Sequence, residues 1–320
     1  MKPSKFLLFL TLTIVCSASA LASPLYPVVD KGRWGFANKS GRLATTAQFD
    51  RAEAFSEGLA AVRLKRWGYV DESGKFVANP QFDEAGPFSG GLAAVCIEHR
   101  YGYINPDGHY AINPQFEQAG KFSEGLAPVR VDRKWGFIDN TGKLVINPEF
   151  DEAAPFAEGL TAVKVGHVYG YIDTTGKVIV NPQFSDAQSF SESLAAVKVD
   201  HKWGFADKTG KIVINPQFED AGAFVNGLAP VRVDKKWGYI DTSGHDVVNP
   251  QFDSAASFCN GLARVALGRR WGFVDRTGAY VINPQFDEAK DFQYGLAQVL
   301  LGREVGYVDA NGKFVWNPRK

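Results

Sequence analysis

The strongest constraint on this chain is a single sequence period. The stretch from Lys134 to Pro148 (KWGFIDNTGKLVINP) returns every 34 residues, with one step of 33. Each copy has an anchor position followed by glycine, and the nine anchors are Trp34, Trp67, Tyr101, Trp135, Tyr169, Trp203, Trp237, Trp271 and Val305. Tandem units bury their core against their neighbours, so this period overrides any estimate of domain number from chain length.

The pattern within one unit predicts three short strands. In the fourth copy, Leu126 to Val131 alternates and is rich in valine, and Trp135 to Asp139 follows after a tight polar connection. Gly142 marks the next turn, where the backbone needs a positive φ. Leu144 to Ile146 forms the third strand, and Pro148 ends it because proline cannot donate a ladder hydrogen bond. Each unit is therefore expected to be an antiparallel meander.

The linker between meanders has its own regular pattern. Phe150, Ala153 and Phe156 are spaced by three residues, which predicts one helical turn or a compact loop that ends at Gly159. Tetratricopeptide repeats also have a period of 34 residues. They are helix pairs, however, and Asn-Pro plus two glycines in each unit excludes them.

The expected fold is an all-β tandem array of nine three-stranded antiparallel units, arranged as an open curved solenoid. The alternative is a closed, propeller-like ring. Two observations favour the open form. A unit of 34 residues is short for a four-stranded propeller blade of about 40–45 residues, and the end units are atypical, with Gly32 and Val305 replacing a basic and an aromatic residue.

The N-terminus resembles a targeting segment. Lys2 and Lys5 precede an apolar run over residues 6–15, and small residues end at Ala22. This layout predicts a signal peptide over residues 1–22, a repeat array over 23–320, and export to the periplasm or the outside of the cell. No transmembrane segment is expected in the mature chain, because the apolar run is too short to span a bilayer.

Charge and cysteine content exclude two classes of protein. The chain has 35 basic and 35 acidic residues, so its formal net charge is zero. It therefore lacks the excess of positive charge that favours a nucleic-acid partner. After removal of the signal peptide only Cys96 and Cys259 remain, about five units apart. We expect two buried thiols and no disulfide framework.

The repeated residues resemble a known bacterial family. Lys/Arg-Trp-Gly-Phe/Tyr-Ile/Val-Asp, then Gly-Lys, Asn-Pro-Gln-Phe-Asp and Phe-x-Glu-Gly-Leu-Ala-x-Val, are similar to the WG (KWG) repeat, and the match covers essentially the whole mature chain. The resemblance implies a β-rich repeat protein of bacteria, and the predicted signal peptide implies that it is exported. The family has no general catalytic activity, so the resemblance supplies no active site.

The turn before each anchor is basic in nearly every copy, whereas the linkers carry acidic residues. Stacked units would therefore form a basic row along one edge, which could dock an anionic partner; the alternative is that these charges are solvated turns that protect sheet edges. The candidate binding residues are Arg66, Arg100, Arg133, Lys134, Lys202, Lys235, Lys236, Arg269 and Arg270.

No motif for catalysis, cofactors or metal is found. Nucleophile elbows, phosphate loops and zinc-protease motifs are missing from the sequence. His167 and His201 occupy equivalent turns, but no carboxylate or cysteine recurs beside them to complete a metal site. We expect a protein that is not an enzyme and has no cofactor.

Two functions are compatible with these features. The first is a protein–protein interaction or scaffold module in the cell envelope, with an unidentified protein partner. The alternative is a module that binds cell-wall glycan through exposed aromatic residues such as Tyr26, Tyr110, Tyr280 and Tyr294.

Overall fold

The computed structural model describes residues 24–302 and 304–317, whose regular secondary structure consists of β-strands. The predicted signal peptide, residues 1–22, lies outside this described part. No helix long and apolar enough to cross a membrane occurs in residues 24–302 and 304–317. The strands form nine consecutive sheets, one for each sequence anchor.

The first sheet has two strands, β1 (Leu25–Asp30) and β2 (Arg33–Asn38), which isolated bridges extend to Leu43 and Phe49. Each of the other eight is a four-stranded antiparallel blade whose strands are in chain order. Blade 2 contains β3 (Arg51–Ala52), β4 (Leu59–Leu64), β5 (Arg66–Asp71) and β6 (Phe76–Phe82); blade 3 contains β7 (Glu84–Ser89), β8 (Leu92–Ile97), β9 (Arg100–Ile104) and β10 (Tyr110–Phe116); blade 4 contains β11 (Gln118–Ala119), β12 (Ala127–Val131), β13 (Lys134–Ile138) and β14 (Leu144–Phe150); blade 5 contains β15 (Glu152–Ala153), β16 (Leu160–Val165), β17 (Val168–Asp173) and β18 (Val178–Phe184).

The remaining blades repeat this order. Blade 6 contains β19 (Asp186–Ala187), β20 (Leu194–Val199), β21 (Lys202–Asp207) and β22 (Ile212–Phe218); blade 7 contains β23 (Asp220–Ala221), β24 (Leu228–Val233), β25 (Lys236–Asp241) and β26 (Asp246–Phe252); blade 8 contains β27 (Ser254–Ala255), β28 (Ala263–Leu267), β29 (Arg270–Val274) and β30 (Tyr280–Phe286); blade 9 contains β31 (Glu288–Ala289), β32 (Leu296–Leu301), β33 (Glu304–Asp309) and β34 (Phe314–Trp316). We name the four positions in a blade the linker strand, the first long strand, the anchor strand and the Asn-Pro strand.

The prediction of three strands per unit was wrong, because the linker supplies a fourth. Ala153 pairs with Val163, and the chain then reverses through Glu158 and Gly159, whose φ values are 55° and 85°. Positive φ at both central residues defines a type I′ turn, which matches the twist of a hairpin. Phe150 ends the Asn-Pro strand β14, Ala153 lies in the linker strand β15 and Phe156 follows in the irregular arm of the hairpin, so their spacing of three residues does not reflect a helical turn.

The glycine of each Trp-Gly pair is required by a bulge in the neighbouring strand. Trp135 pairs with Phe150 and Phe137 pairs with Ile146, so the Asn-Pro strand has two extra residues opposite Gly136. A Cβ on Gly136 would lie 2.5 Å from the Ile146 carbonyl oxygen and 2.7 Å from the Pro148 nitrogen. Both atoms belong to the main chain and cannot move aside, and the same contacts explain the glycine after the anchor in each of blades 2–8.

The core lies between the blades. Phe137 of blade 4 packs on Phe156 of the linker that leads into blade 5, with ring centroids 4.9 Å apart, and both rings are buried. The same aromatic contact joins each of the eight successive pairs of sheets, from Phe36–Phe55 to Phe273–Phe292. Cys96 and Cys259 are buried thiols, as predicted, and the Cys259 thiol donates to the Phe292 carbonyl oxygen at 3.0 Å.

The array closes on itself, so the prediction of an open solenoid was wrong. Tyr26 of β1 packs edge-on against Tyr307 of β33 with centroids 5.4 Å apart, and the Tyr307 hydroxyl donates to the Pro27 carbonyl oxygen at 2.9 Å. The Tyr26 hydroxyl donates to the Tyr294 carbonyl oxygen at 3.0 Å. These contacts join the two ends of the chain in a seam, and the molecule is an all-β propeller.

Residue size at the seam explains how it closes. The position of Tyr26 is occupied by Ala or Thr in the other eight sheets, for example by Ala127 and Thr161. The larger Tyr26 ring packs on Tyr307 in the way that a linker phenylalanine packs on the anchor strand elsewhere. The atypical first and last units are therefore complementary to each other and are not caps.

Candidate functional site

The basic row predicted from sequence lies on one face of the ring, in the turns between the first long strands and the anchor strands. Four of its nine residues are paired with acidic side chains. Lys134 and Asp151 are 2.6 Å apart, Lys236 and Asp253 2.5 Å, Arg270 and Asp287 2.6 Å, and Arg66 and Asp83 3.5 Å. The separation in sequence is 17 residues in each case, half of one period. The basic and acidic rows are therefore interleaved rather than segregated.

Each acidic residue also joins two neighbouring turns. Asp151 accepts a hydrogen bond from Lys134 of blade 4 with one oxygen and from the Gly166 amide of blade 5 with the other. The Lys134 ammonium, with help from the Gly166 amide, lowers the pKa of the Asp151 carboxyl, and Lys236 does the same to Asp253. These aspartates thus hold adjacent turns of the face together.

Arg133 and Lys235 contribute main-chain rather than side-chain contacts. Both have a φ near 65° in their turns, and their amides donate to Glu117 and Glu219 at 3.3 and 3.2 Å. Three other candidates have little contact with protein. Arg100 donates to the Gln115 carbonyl oxygen at 3.4 Å, whereas Lys202 and Arg269 make no ion pair with a residue in the described ranges.

The sequence contained a signal for this pairing that the prediction of two separate rows missed. Val168 is one of two anchor-preceding residues that are not basic, and the residue 17 positions later is Ser185 instead of an acid. A missing base therefore coincides with a missing acid, as a paired arrangement requires.

The anchors form a second repeated feature. Their rings are half-buried, except Trp203, which is buried, and five of them are covered by a cationic side chain at 5.2–6.0 Å. The two tyrosine anchors are also hydrogen-bonded. Tyr101 donates to Glu84 at 2.6 Å and Tyr169 donates to Glu152 at 2.5 Å. Burial and these carboxylates raise the pKa of both phenols, which keeps them protonated as donors.

A third surface was not predicted and follows the Asn-Pro strands. Every other residue of these strands faces outward, so that Val145, Asn147 and Glu149 share one exposed side in blade 4. We call the exposed amide residues of blades 2–8 the amide band. It consists of Asn79, Asn113, Asn147, Asn181, Asn215, Asn249 and Asn283, with Gln81, Gln115, Gln183, Gln217, Gln251 and Gln285.

The amide band is flanked by an aliphatic row in five consecutive blades. Val145, Ile179, Val213, Val247 and Val281 are each 37–47% exposed, two residues before the corresponding asparagine. The asparagine side chains make no hydrogen bond within residues 24–302 and 304–317, so their donors and acceptors face solvent. Sequence alternation around Asn-Pro was the available signal, but proline at a predicted strand end concealed the outward register.

The tyrosines considered for glycan stacking differ in their exposure. Tyr26 is buried in the seam and cannot contact a ligand. Tyr110 and Tyr280 are each 39% exposed at equivalent positions beside the band, and their rings pack edge-on against Phe82 and Phe252. Tyr294 is the most exposed large hydrophobic residue described, at 60%, and it lies in a linker turn.

A family model described as "WG containing repeat" matches residues 34–65, 67–98, 101–135, 135–166, 169–203, 203–237, 237–269 and 271–303. The chain belongs to the WG-repeat family. The eight matched WG repeats begin at or near the aromatic anchors, and the ninth unit, with Val305 as its anchor, follows them. No curated protein sequence matches the chain significantly.

Solved structures extend this WG-repeat assignment to the fold. A crystal structure of a eukaryotic initiation factor is 12% identical with a TM-score of 0.67, and the match covers 92% of this chain and 95% of that one. The dihydro-heme d1 dehydrogenase NirN in complex with DHE is 12% identical with a TM-score of 0.50, and the match covers 82% and 73%. At this identity the similarity shows only that the WG-repeat chain is a β-propeller.

The WG-repeat turns do not assemble a metal centre in the part of the chain described. No group of three or more His, Cys, Asp or Glu side chains lies close enough together there to hold an ion. His201 has a φ of 68° in its turn and is exposed, as is His167.

Proposed function

We propose that this protein is an exported, non-catalytic module that binds neutral glycan chains of the bacterial cell envelope through the amide band. The observation that supports this most directly is the combination of exposed side-chain amides and exposed aliphatic residues on consecutive Asn-Pro strands. Sugars present hydroxyl groups and apolar C–H faces together. A surface that offers both kinds of contact is therefore chemically suited to them.

Hydrogen-bonding capacity favours a glycan over an anion. An asparagine or glutamine side chain has two donors and one acceptor oxygen, which matches the dual character of a hydroxyl group. In blades 5–8 the band has no charged residue at its amide positions. The aliphatic row beside it, together with Tyr280, would pack against the apolar faces of the sugar rings.

The basic row gives weaker support to an anionic partner. Four of the nine predicted basic residues already make ion pairs, and their carboxylates are engaged with main-chain amides of the next blade. An incoming anion would have to displace these aspartates. We therefore assign this face a structural role.

Binding to purified wall polysaccharide tests the proposal. The variant combines Asn181→Ala, Asn215→Ala and Asn249→Ala, which removes three exposed amides from adjacent blades. We expect affinity to fall about tenfold or more, because each neutral hydrogen bond contributes roughly 0.5–1.5 kcal/mol. Stability should change little, because these side chains have no protein partner.

The matched control is Asn140→Ala, an exposed asparagine in a turn outside the band. It should bind like the unmodified protein. Affinity should also be unchanged between low and high salt, because the band contacts are uncharged. Binding that disappears at moderate salt, or that survives the triple substitution, would contradict the proposal.

A second candidate is the protein-interaction scaffold, and the aliphatic row favours it. Val213→Ser with Val247→Ser would remove most of an apolar protein contact, whereas glycan binding, which depends mainly on the amide hydrogen bonds, would fall much less. Loss of a captured envelope protein with retention of glycan would therefore separate the two functions.

A further inference from the structure

The ninth blade lacks the aromatic ring that the other anchors provide. Val305 occupies the anchor position of β33, and a cavity of about 170 Å³ lies beside it. The cavity is bounded by Leu300 and Val305 on blade 9, by Trp34 on the first sheet, and by Glu288 and Lys290 at its polar side. It therefore lies at the seam of the ring, and both ends of the repeat array contribute to it.

Two other blades show which group fits beside a glutamate at this position. Glu288 is equivalent to Glu84 and Glu152, which accept the hydroxyl hydrogen bonds of Tyr101 and Tyr169. Blades with a tryptophan anchor have a different residue there: Arg51, Gln118, Asp186, Asp220 or Ser254. In this chain, glutamate at the first position of the linker strand accompanies a tyrosine anchor in two blades and Val305 in the third.

The cavity has an apolar floor and a hydrogen-bond acceptor, but it lacks the phenol ring that fills the equivalent place in two other blades. Leu300 is the cross-strand partner of Val305, so the floor is aliphatic where other blades place a cation over the ring. The Glu288 carboxylate makes no hydrogen bond or ion pair with any residue in 24–302 or 304–317. The volume is also sufficient, because an apolar cavity of about 150 Å³ in another protein holds a benzene ring.

We propose that the seam cavity binds a phenol ring, with its hydroxyl donating to the Glu288 carboxylate and its ring packed on Leu300, Val305 and Trp34. The ring takes the place that Tyr101 and Tyr169 occupy within their own blades. Its source is either the side chain of a tyrosine in a partner protein or a free phenolic compound. This site is separate from the amide band and does not depend on glycan binding.

Titration of the full-length protein with p-cresol, the side chain of tyrosine, tests the site by calorimetry and by quenching of Trp34 fluorescence. We expect saturable binding of one equivalent. 4-Methylanisole cannot donate a hydrogen bond. It should bind at least about tenfold more weakly than p-cresol, because a hydrogen bond to a carboxylate contributes roughly 1.5–3 kcal/mol. Glu288→Ala should weaken p-cresol binding by a similar factor, whereas Glu304→Ala at the start of β33 should not.

Filling the cavity from within gives a test that does not depend on the ligand. Val305→Tyr should abolish p-cresol binding and raise the Tm, and Val305→Phe should raise the Tm less. When Glu288→Ala is added to both filled variants, the Val305→Tyr and Val305→Phe proteins should have the same Tm, because the tyrosine hydroxyl has then lost its acceptor. The proposal would be overturned if the Val305→Tyr protein bound p-cresol as tightly as the unmodified protein does, or if the Tm fell in both filled variants.

A short tyrosine-containing peptide with free ends capped distinguishes the two sources. Tighter binding of the peptide than of p-cresol would assign the site to a partner's tyrosine. Equal or weaker binding would assign it to a free phenolic compound.

Discussion

At the scale of single residues, the acidic side chains of the repeat act mainly as structural acceptors. In the turn after each anchor strand, Asp207 accepts hydrogen bonds from the Thr209 amide, the Thr209 hydroxyl and the Lys211 amide at 2.9, 2.6 and 3.1 Å. The same arrangement recurs at Asp71, Asp139, Asp173 and Asp275 with serine or threonine. Sequence reasoning placed these turns correctly but could not show that their carboxylates were already engaged.

Replacing one of these carboxylates should loosen its turn. Asp207→Ala removes three hydrogen bonds at a turn that solvent reaches, so we expect the free energy of unfolding to fall by about 1 kcal/mol. Chemical denaturation would measure this change. Asp246→Ala, an exposed aspartate on the next Asn-Pro strand, is the matched control and should have almost no effect.

The same carboxylates predict sensitivity to acid. Hydrogen bonds from the neighbouring hydroxyl and amides lower the pKa of Asp71, Asp139, Asp173, Asp207 and Asp275 below the ordinary value of 3.8. A carboxyl with a lowered pKa in the folded state stabilises the protein above 3.8, and this stabilisation is lost as the pH falls through the folded-state value. We expect the Tm to be flat from about pH 7 to 5 and to fall steeply below about pH 4. A steep fall of the Tm near pH 6 would instead indicate that protonation of histidines destabilises the fold.

At the scale of the elements, the repeat is defined by turns and a bulge that demand particular backbone angles. In blades 2–8 the Asn-Pro bulge requires the glycine that follows the anchor, and glycine ends seven of the eight described linker turns because its φ there is near 80°. The sequence predicted the long strands and these turn positions because alternation and glycine are local signals. It did not predict the linker strand, because two paired residues leave too short an alternation to read.

The single exception among the linker turns provides a test. Ser193 has a φ of 65° where the other turns have glycine, and its amide donates to Glu158 of the previous turn at 2.9 Å. Ser193→Gly keeps that amide and removes the cost of a side chain in the left-handed region, so stability should rise by roughly 0.5–1 kcal/mol. The reverse change one unit earlier, Gly159→Ser, should lower stability by a similar amount in the same denaturation assay.

At the scale of the whole molecule, closure depends on residues that the repeat pattern marks only as exceptions. Gly32 and Val305 suggested end caps, whereas the contact that closes the ring joins Tyr26 to Tyr307 across more than 270 residues, which local periodicity cannot encode. The period shows that units stack but leaves the angle between them undetermined. That angle decides between a solenoid and a ring, and it depends on how the linker aromatic residues pack between blades.

Removing the seam contact should destabilise the ring. Tyr26→Ala deletes a buried ring and its hydrogen bond to Tyr294, for which we expect a loss of about 3–5 kcal/mol. Hydrogen exchange should accelerate first in β1, β2 and blade 9, because these strands lose their neighbour. Tyr294→Ala, which keeps the main-chain acceptor, should leave the exchange pattern unchanged, and uniform acceleration over all blades would indicate that the seam has no special role.

The closed seam also restricts how such a gene can change in length. An open stack gains or loses a copy at its end without disturbing the others, so its number of units can drift. A closed circle must redistribute the angle of every joint when one copy is inserted or deleted, and Tyr26 and Tyr307 would no longer meet unless all the other joints adjusted together. Duplication of 34 residues, the easiest mutation for repetitive DNA, is therefore the change that this architecture tolerates least.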